Sequence, residues 1–393
     1  MRPAPFLSSP DDPDVDAARS DQADELDAGN SVATRRRGAV RAVVGLAISA
    51  VFLVVAFRGQ DFGEVRDALG RTEYRWLAPA LALYGTGVWI RAIRWSVLLR
   101  PIVAVRARDV FPLVIVGYTA NNVLPLRTGE LVRAYLLGQR HGVRKTAALA
   151  TVAIERLFDG LTMLAFMLIA ATAISFTAEL RRIAVVAVAL FALALAGLLV
   201  LLLGTEPRER VLRLVLGPLP VGIAVRVERM ARSFLTGLGA LTRRSDLALV
   251  AGTSLVAWCC EAAMYWTIAR GFEEPLRGAM TPAAALLTTG VANLATLVPS
   301  SPGYVGTFEA GVALAVNGAL DVPRGLALSY AIVVHAALWL PITAIGAVEW
   351  WRQHLALSRS RVAASTIDRD APRLDRAGAV AVERSRGGGD IHS

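Results

Sequence analysis

Apolar runs close to twenty residues long alternate with shorter polar segments along most of this chain. They cover Ala42–Phe57, Trp76–Ile90, Ala147–Phe176, Ile183–Leu203, Leu247–Ile268 and Leu326–Trp350. A run of that length crosses a hydrocarbon core of about 30 Å as a helix. Two elements do not fit a simple crossing. One is "DVFPLVIVGYTANNVLPL", a short run closed by Pro125; the other is the pair 283–298 and 305–316, separated by a proline- and glycine-rich break. Read as re-entrant or broken helices, they leave about six full spans. The predicted fold class is all-α, a polytopic helical membrane protein.

The composition agrees, with 55% hydrophobic residues and only 19% charged ones, a balance rare in soluble domains. The formal net charge of +10 is almost all arginine, Lys145 being the one lysine. In a membrane protein a basic excess is more often topological than nucleic-acid-binding, and no nucleic-acid partner is expected. Under the six-span reading, segments 35–41, 91–108, 125–146 and 204–246 carry 22 Lys or Arg, against 9 in 58–75, 177–182, 269–281 and 299–325. The former are expected on the cytoplasmic side of the inner membrane, with both termini. Within 204–246, Ile223, Val227, Met230, Phe234 and Leu238 recur at helical spacing beside Arg226, Arg229 and Arg232. That pattern reads either as an amphipathic helix on the inner leaflet or as an ordinary connecting helix.

Residues 1–34 are rich in Asp, Ala, Pro and Ser and are expected to be a disordered acidic cytoplasmic segment. They lack the apolar core of a cleaved signal peptide. Residues 35–352 form the expected membrane domain, and 353–393 a disordered cytoplasmic tail. Cys259 and Cys260 are adjacent in an apolar run and have no metal-ligand spacing around them, so they read as small helix residues. Neither a metal site nor a cofactor is expected.

An ionisable group at mid-bilayer costs about 2.5–3.5 kcal/mol on insertion scales, and needs a partner or a water-lined cavity. Four places raise this question. In "NNVLPLRTGELVRA", 121–134, Pro125 and Gly129 break the helix. Asn121 and Asn122 are placed to cap the freed backbone, and Arg127, Glu130 and Arg133 supply charge. The stretch is either one wall of a polar cavity or a cytoplasmic loop after a short span. In "TVAIERLFDGLTM", Glu155, Arg156 and Asp159 lie about 12 Å into an unbroken helix. Glu155 and Asp159 share a face, and Arg156 reaches Asp159 at i+3. They form a neutralised structural pair or a net negative cluster facing a cation such as Arg127 or Arg133.

The third place is "NLATLVPSSPGYVGTFEAG", where Pro299, Pro302, Gly303 and Gly306 interrupt an apolar region flanked by Asn293 and Glu309. Its order of Asn, apolar-Pro, Gly and Glu resembles that of 122–130. An inverted pair of half-helices would leave such a trace, and so would chance composition. The fourth is a pair of single residues. Glu261 needs an arginine or a proton if buried, while His335 reads first as a bonded packing residue.

Three stretches, "NNVLPLRTGELVRAYLL", "ERLFDG" and "PSSPGYVGTFEAG", occur in an order that resembles the integral-membrane family related to the flippase-like transmembrane region of lysylphosphatidylglycerol synthases. The resemblance spans roughly residues 40–350. It implies a helical membrane domain with re-entrant segments, concerned with moving or presenting a lipid. It also implies functional weight on Asn122, Arg127, Gly129, Glu130, Glu155, Arg156, Asp159, Pro299, Gly303, Gly306 and Glu309. Two-part members carry a soluble aminoacyl-transfer domain, and the polar residues after Trp351 are too few for one. Lysyl transfer is therefore not expected of this chain alone.

Two function classes follow. As a translocator, the protein moves a polar-headed lipid (phospholipid, glycolipid or polyprenyl-phosphate-linked) through a hydrophilic groove. Arg127, Arg133 and secondarily Arg91 or Arg94 would hold a phosphate, balanced by Glu130, Glu155 and Asp159. No GxxxxGK[ST] stretch occurs, so drive by ATP through a P-loop is not expected. As an intramembrane transferase, Glu130 or Asp159 would act as base on a lipid-linked donor, yet the acidic spacings "DPD" and "DVD" lie in the N-terminal segment, away from the membrane domain. A scaffold for a lipid or glycan biosynthesis enzyme is a third option.

Overall fold

A computed structural model of the chain describes residues 62–124, 128–202, 244–298 and 302–370, with isolated helical positions outside these ranges. The described residues are helical, and no strand occurs among them. The N-terminal segment, the predicted amphipathic helix at 223–238, Arg127, Pro125 and Pro299 lie outside them. Contacts divide the chain into residues 1–346, which hold both cavities and the charge network described below, and residues 347–393.

A short amphipathic helix, α1 (Phe62–Arg71), leads to α2 (Leu77–Leu99). The apolar run expected at 76–90 thus continues as one helix through Arg91 and Arg94. Helix α3 (Ala107–Val123) ends at Leu124, which is extended at φ −98°, ψ 146°. That is the conformation a following proline imposes on the residue before it. Helix α4 (Gly129–His141) starts after the break and ends on Gly142 in the left-handed region. Helices α5 (Lys145–Ala171) and α6 (Ala178–Leu202) follow, then α7 (Arg244–Ala269).

Helix α8 (Pro282–Ala295) opens with proline in its first turn, and the Thr281 hydroxyl accepts from the Ala284 amide. Both features suit an N-terminus, where backbone donors lack helical partners. Helix α9 (Thr307–Leu320) follows the break. At about 1.5 Å per residue, fourteen-residue helices reach only about 21 Å, short of a membrane crossing. They pack against each other, and α8 also packs on α5. The last helix, α10, spans Arg324–Asp370, so helical structure extends into the residues expected to begin a disordered tail at 353. No proline interrupts the chain between Pro341 and Pro372.

This bundle exposes large apolar side chains and buries charged ones within its apolar core, unlike a water-soluble bundle. Leu168 and Leu193 are each 73% exposed, and Val185, Leu190, Leu255 and Leu340 also face outward. Arg91, Arg94, Arg133, Glu155, Asp159 and Glu261 are buried. Outward apolar side chains around inward charge suit hydrocarbon surroundings. Within α7, Ser245–Ala269, and within α10, Arg324–Arg352, are long and apolar enough to cross a membrane.

The α3–α4 break depends on close backbone approach. The Gly129 amide donates to the Asn121 side-chain oxygen at 2.8 Å, so Asn121 caps the start of α4. A Cβ at Gly129 would overlap the Gly117 carbonyl and lie 2.7 Å from that amide oxygen. We predict that Gly129→Ala destabilises the protein by about 1–3 kcal/mol, read as a lower melting temperature in detergent. Gly85→Ala, whose Cβ meets nothing within 4 Å, should leave the melting temperature unchanged or slightly raised.

Candidate functional site

Helices α2, α4, α5 and α7 meet around a set of buried charges. From α2, Arg94 donates to Asp159 at 2.6 Å and Ser254 at 2.8 Å, and lies 3.4 Å from Glu155. From α4, Arg133 pairs with the other Glu155 oxygen and stacks over the Trp95 ring at 4.3 Å. The Trp258 indole N–H donates to Asp159 at 2.7 Å. One turn earlier on α2, Arg91 pairs with Glu261 at 2.7 Å and lies over the Trp258 ring at 4.4 Å. Asn293 of α8 donates to the second Glu261 oxygen at 3.3 Å. Glu261 therefore takes an arginine, one of the two solutions its sequence context required.

Arg156 completes the set. It lies 3.2 Å from Asp159, as the i+3 spacing predicted, and 3.7 Å from Glu130. Arg91, Arg94, Arg133 and Arg156 thus meet Glu130, Glu155, Asp159 and Glu261, four cations against four anions. Glu155, Arg156 and Asp159, read from the sequence as a net negative cluster facing a cation such as Arg133, do face Arg133, and Arg94 with it, so the wider network balances among the described residues. Arg91, Arg94 and Arg133, expected to receive a phosphate, are each bound to a carboxylate. Those three cations are also held inside the protein, so they give no topological signal. Removing them from the 22 counted on the side expected to be cytoplasmic leaves the asymmetry against 9 in the same direction.

The second break is held by a different pair. Gly303 has φ 73°, in the left-handed region that favours glycine. Its carbonyl accepts from His335 Nε2 at 2.8 Å, while His335 Nδ1 lies 2.5 Å from Glu309. Glu309 also accepts from the Gly306 amide at 2.6 Å. A carbonyl can only accept, so Nε2 donates to Gly303, and Nδ1 faces the Glu309 carboxylate. His335 is a bonded residue, as expected, and what it bonds is the break.

The two breaks border one cavity of about 140 Å³. Of the residues singled out in the sequence, Asn122, Glu130, Arg91, Arg156, Glu261, Asn293, Gly303 and His335 line it. Asn122 reaches α10, donating to Thr343 at 2.8 Å, and its carbonyl accepts from the Trp339 indole at 3.4 Å. Arg94, Arg133 and Glu155 stand behind the wall in the buried network, and Gly306 and Glu309 behind His335. A second cavity, of about 490 Å³, opens beside the first between α5, α8 and α4. Its lining is mostly aliphatic and includes Leu131, Leu149, Val152, Leu157, Leu294 and Leu297, with Asp159 at one side. Glu130, Arg156, Trp258, Asn293 and Thr296 line both cavities. Sequence reasoning missed Tyr84, Tyr118, Trp258 and Trp339, which with Tyr304 and Phe308 supply the aromatic part of the polar cavity.

The family model for the lysylphosphatidylglycerol synthase TM region matches residues 42–346, which includes every residue of this site. The chain belongs to that family. Among curated proteins, it is 25% identical over 329 residues to glycosyltransferase AglD of Haloferax volcanii, a match covering 77% of this chain and 52% of that protein. It is 32% identical over 129 residues to a UPF0104 membrane protein of Methanothermobacter thermautotrophicus, covering 32% of this chain and 37% of that one. The chain thus spans about half the length of the first relative and little over a third of the second. No solved structure gives a significant match. Membership of this family makes the chain a membrane protein, as the apolar exterior requires.

Removing one partner from a buried ion pair leaves a bare charge, at a cost of about 3–5 kcal/mol. Arg94→Met is expected to destabilise by that order, measured as loss of folded protein in a detergent melting series. Arg71→Met removes an exposed side chain 3.5 Å from Glu273, whose side chain is itself 44% exposed. Its expected cost is no more than about 1 kcal/mol. Equal effects of the two substitutions would contradict the assignment of the Arg94 network as the buried one.

Proposed function

We propose that this member of the lysylphosphatidylglycerol synthase TM region family moves or presents a polar-headed lipid, with the head in the polar cavity and the chains in the aliphatic groove beside it. The observation that carries this reading is the shared boundary. A charged and amide-rich chamber opens directly onto an aliphatic one through Glu130, Arg156, Trp258, Asn293 and Thr296. A molecule filling both must be amphiphilic.

The boundary also offers a gate. Arg156 and Glu130 have side chains 36% and 25% exposed and stand 3.7 Å apart, the loosest pair of the cluster. Exposed or half-exposed ion pairs contribute little, so this contact can open for a head group while the buried pairs behind it hold the helices. In this reading six helices span the cytoplasmic membrane with both termini inside, and the two helix–break–helix units, α3–α4 and α8–α9, form the path. Lipid or glycan biosynthesis enzymes are the expected neighbours that supply or consume the lipid.

A second reading, an intramembrane transferase on a lipid-linked donor, is favoured by one observation, the 25% identity over 329 residues to glycosyltransferase AglD of Haloferax volcanii. The two separate chemically, since translocation leaves its lipid unaltered and a transferase makes a new product. In proteoliposomes, Glu130→Gln is expected to reduce lipid movement to the protein-free background while the protein remains folded and monodisperse. Arg127→Ala is expected to do the same. Unchanged movement in both variants would overturn these assignments, and a chemically altered lipid with the native protein would favour the transferase.

A further inference from the structure

We infer that the polar cavity selects an uncharged, hydroxyl-rich head group, a glycosyl unit, in preference to an anionic or cationic head. This inference rests on the reading of the two cavities as a lipid site and specifies its ligand. The first argument is charge. Of the groups lining the cavity, Arg91 is bound to Glu261 and Arg156 to Glu130 and Asp159, while His335 is engaged by Glu309 and Gly303. Among the described residues no lining cation lacks a carboxylate, and neither lining carboxylate lacks an arginine. A phosphate or an ammonium entering this space must either displace an internal partner or be desolvated without compensation, and both cost free energy. Arg127 lies outside the described residues and is not part of this balance.

The second argument is what the cavity does leave free. Among the described residues the Tyr84 and Tyr118 hydroxyls make no hydrogen bond to protein, yet both line the cavity. Each can donate and accept. The Asn121 side chain uses its oxygen on the Gly129 amide, leaving its amino group to donate. Free neutral donors and acceptors match hydroxyl groups, which also do both. The third argument is surface. Trp258 and Trp339 present aromatic area among these polar groups. A sugar ring, with C–H faces and hydroxyl edges, suits such an interleaved lining, whereas a small compact ion does not use aromatic area in this way. The adjoining aliphatic groove then takes the chain attached to the sugar.

The test is competition for a fluorescent-tailed monoglycosyl diacylglycerol by the full chain in phosphatidylcholine nanodiscs, free of glycosidic detergent. Unlabelled monoglycosyl diacylglycerol should compete, and phosphatidylglycerol and lysylphosphatidylglycerol should compete far less. A glycosyl phosphoprenol, whose head carries an anionic phosphate beside the sugar, forms a fourth arm and should also compete less than the uncharged glycolipid; stronger competition by it overturns the preference for an uncharged head. Tyr118→Phe and Tyr84→Phe each delete one hydroxyl with no protein partner. They should weaken glycosyl-lipid binding about 2- to 10-fold, the worth of one hydrogen bond, with melting temperature unchanged. Competition by either charged lipid equal to or better than the glycolipid overturns this inference and leaves the groove reading standing. Saturable binding of no lipid at all overturns both. Native affinity in both tyrosine variants overturns the assignment of the hydroxyls.

Discussion

Pairing of buried charge is the constraint on which the rest of the structure depends. Arg94 and Glu155 are almost wholly inaccessible, at 0% and 1% exposure, and neither can be left alone in a low-dielectric interior. Their partners come from four helices: α2 supplies Arg94, α4 Arg133, α5 Glu155 and Asp159, and α7 Ser254 and Trp258. Satisfying them together fixes the depth and rotation of each helix relative to the others. Buried ion pairs often add little net stability compared with well-packed apolar residues. What this network contributes is a single arrangement of helices, and that arrangement leaves a polar space in front of it.

The two breaks follow from a related constraint. Backbone groups released from a helix cannot be left unpaired in hydrocarbon, and here side chains take them up. Asn121 receives the Gly129 amide, Glu309 the Gly306 amide, and His335 donates to the Gly303 carbonyl. Satisfying the breaks therefore places imidazole and amide groups around the same cavity as the edge of the ion network. The polar cavity lies where these two solutions meet, and the aliphatic groove is the neighbouring space they do not reach.

Much of this was legible in the sequence because polarity inside an apolar run is conspicuous. Glu155, Arg156 and Asp159 stood out in an otherwise uninterrupted helix, and Pro125 and Gly129 marked a break that the fold contains. The pairings were less legible. Arg94 and Asp159 are 65 residues apart, and no local pattern says that an arginine near a helix end is turned into the protein rather than toward the cytoplasm. The aromatic wall left no trace at all. Tyr84, Tyr118 and Trp258 are ordinary residues for a membrane helix, and only the packing of α2, α3 and α7 brings them to one space. Resemblance to the family identified the motif residues but not these tyrosines, which lie outside the three stretches that carried it.

The central claim is that the two broken stretches enclose a polar, water-reachable chamber rather than a dry structural core. Asn293 lines both cavities, whereas Leu255 on α7 is 47% exposed on the apolar exterior. Placing Asn293→Cys or Leu255→Cys in a background with Cys259→Ala and Cys260→Ala gives single reporters for a charged, membrane-impermeant thiol reagent applied to membrane vesicles opened to both sides. The account predicts that the cysteine at 293 reacts readily and the one at 255 does not. Equal lack of reaction at both positions in folded protein would contradict it.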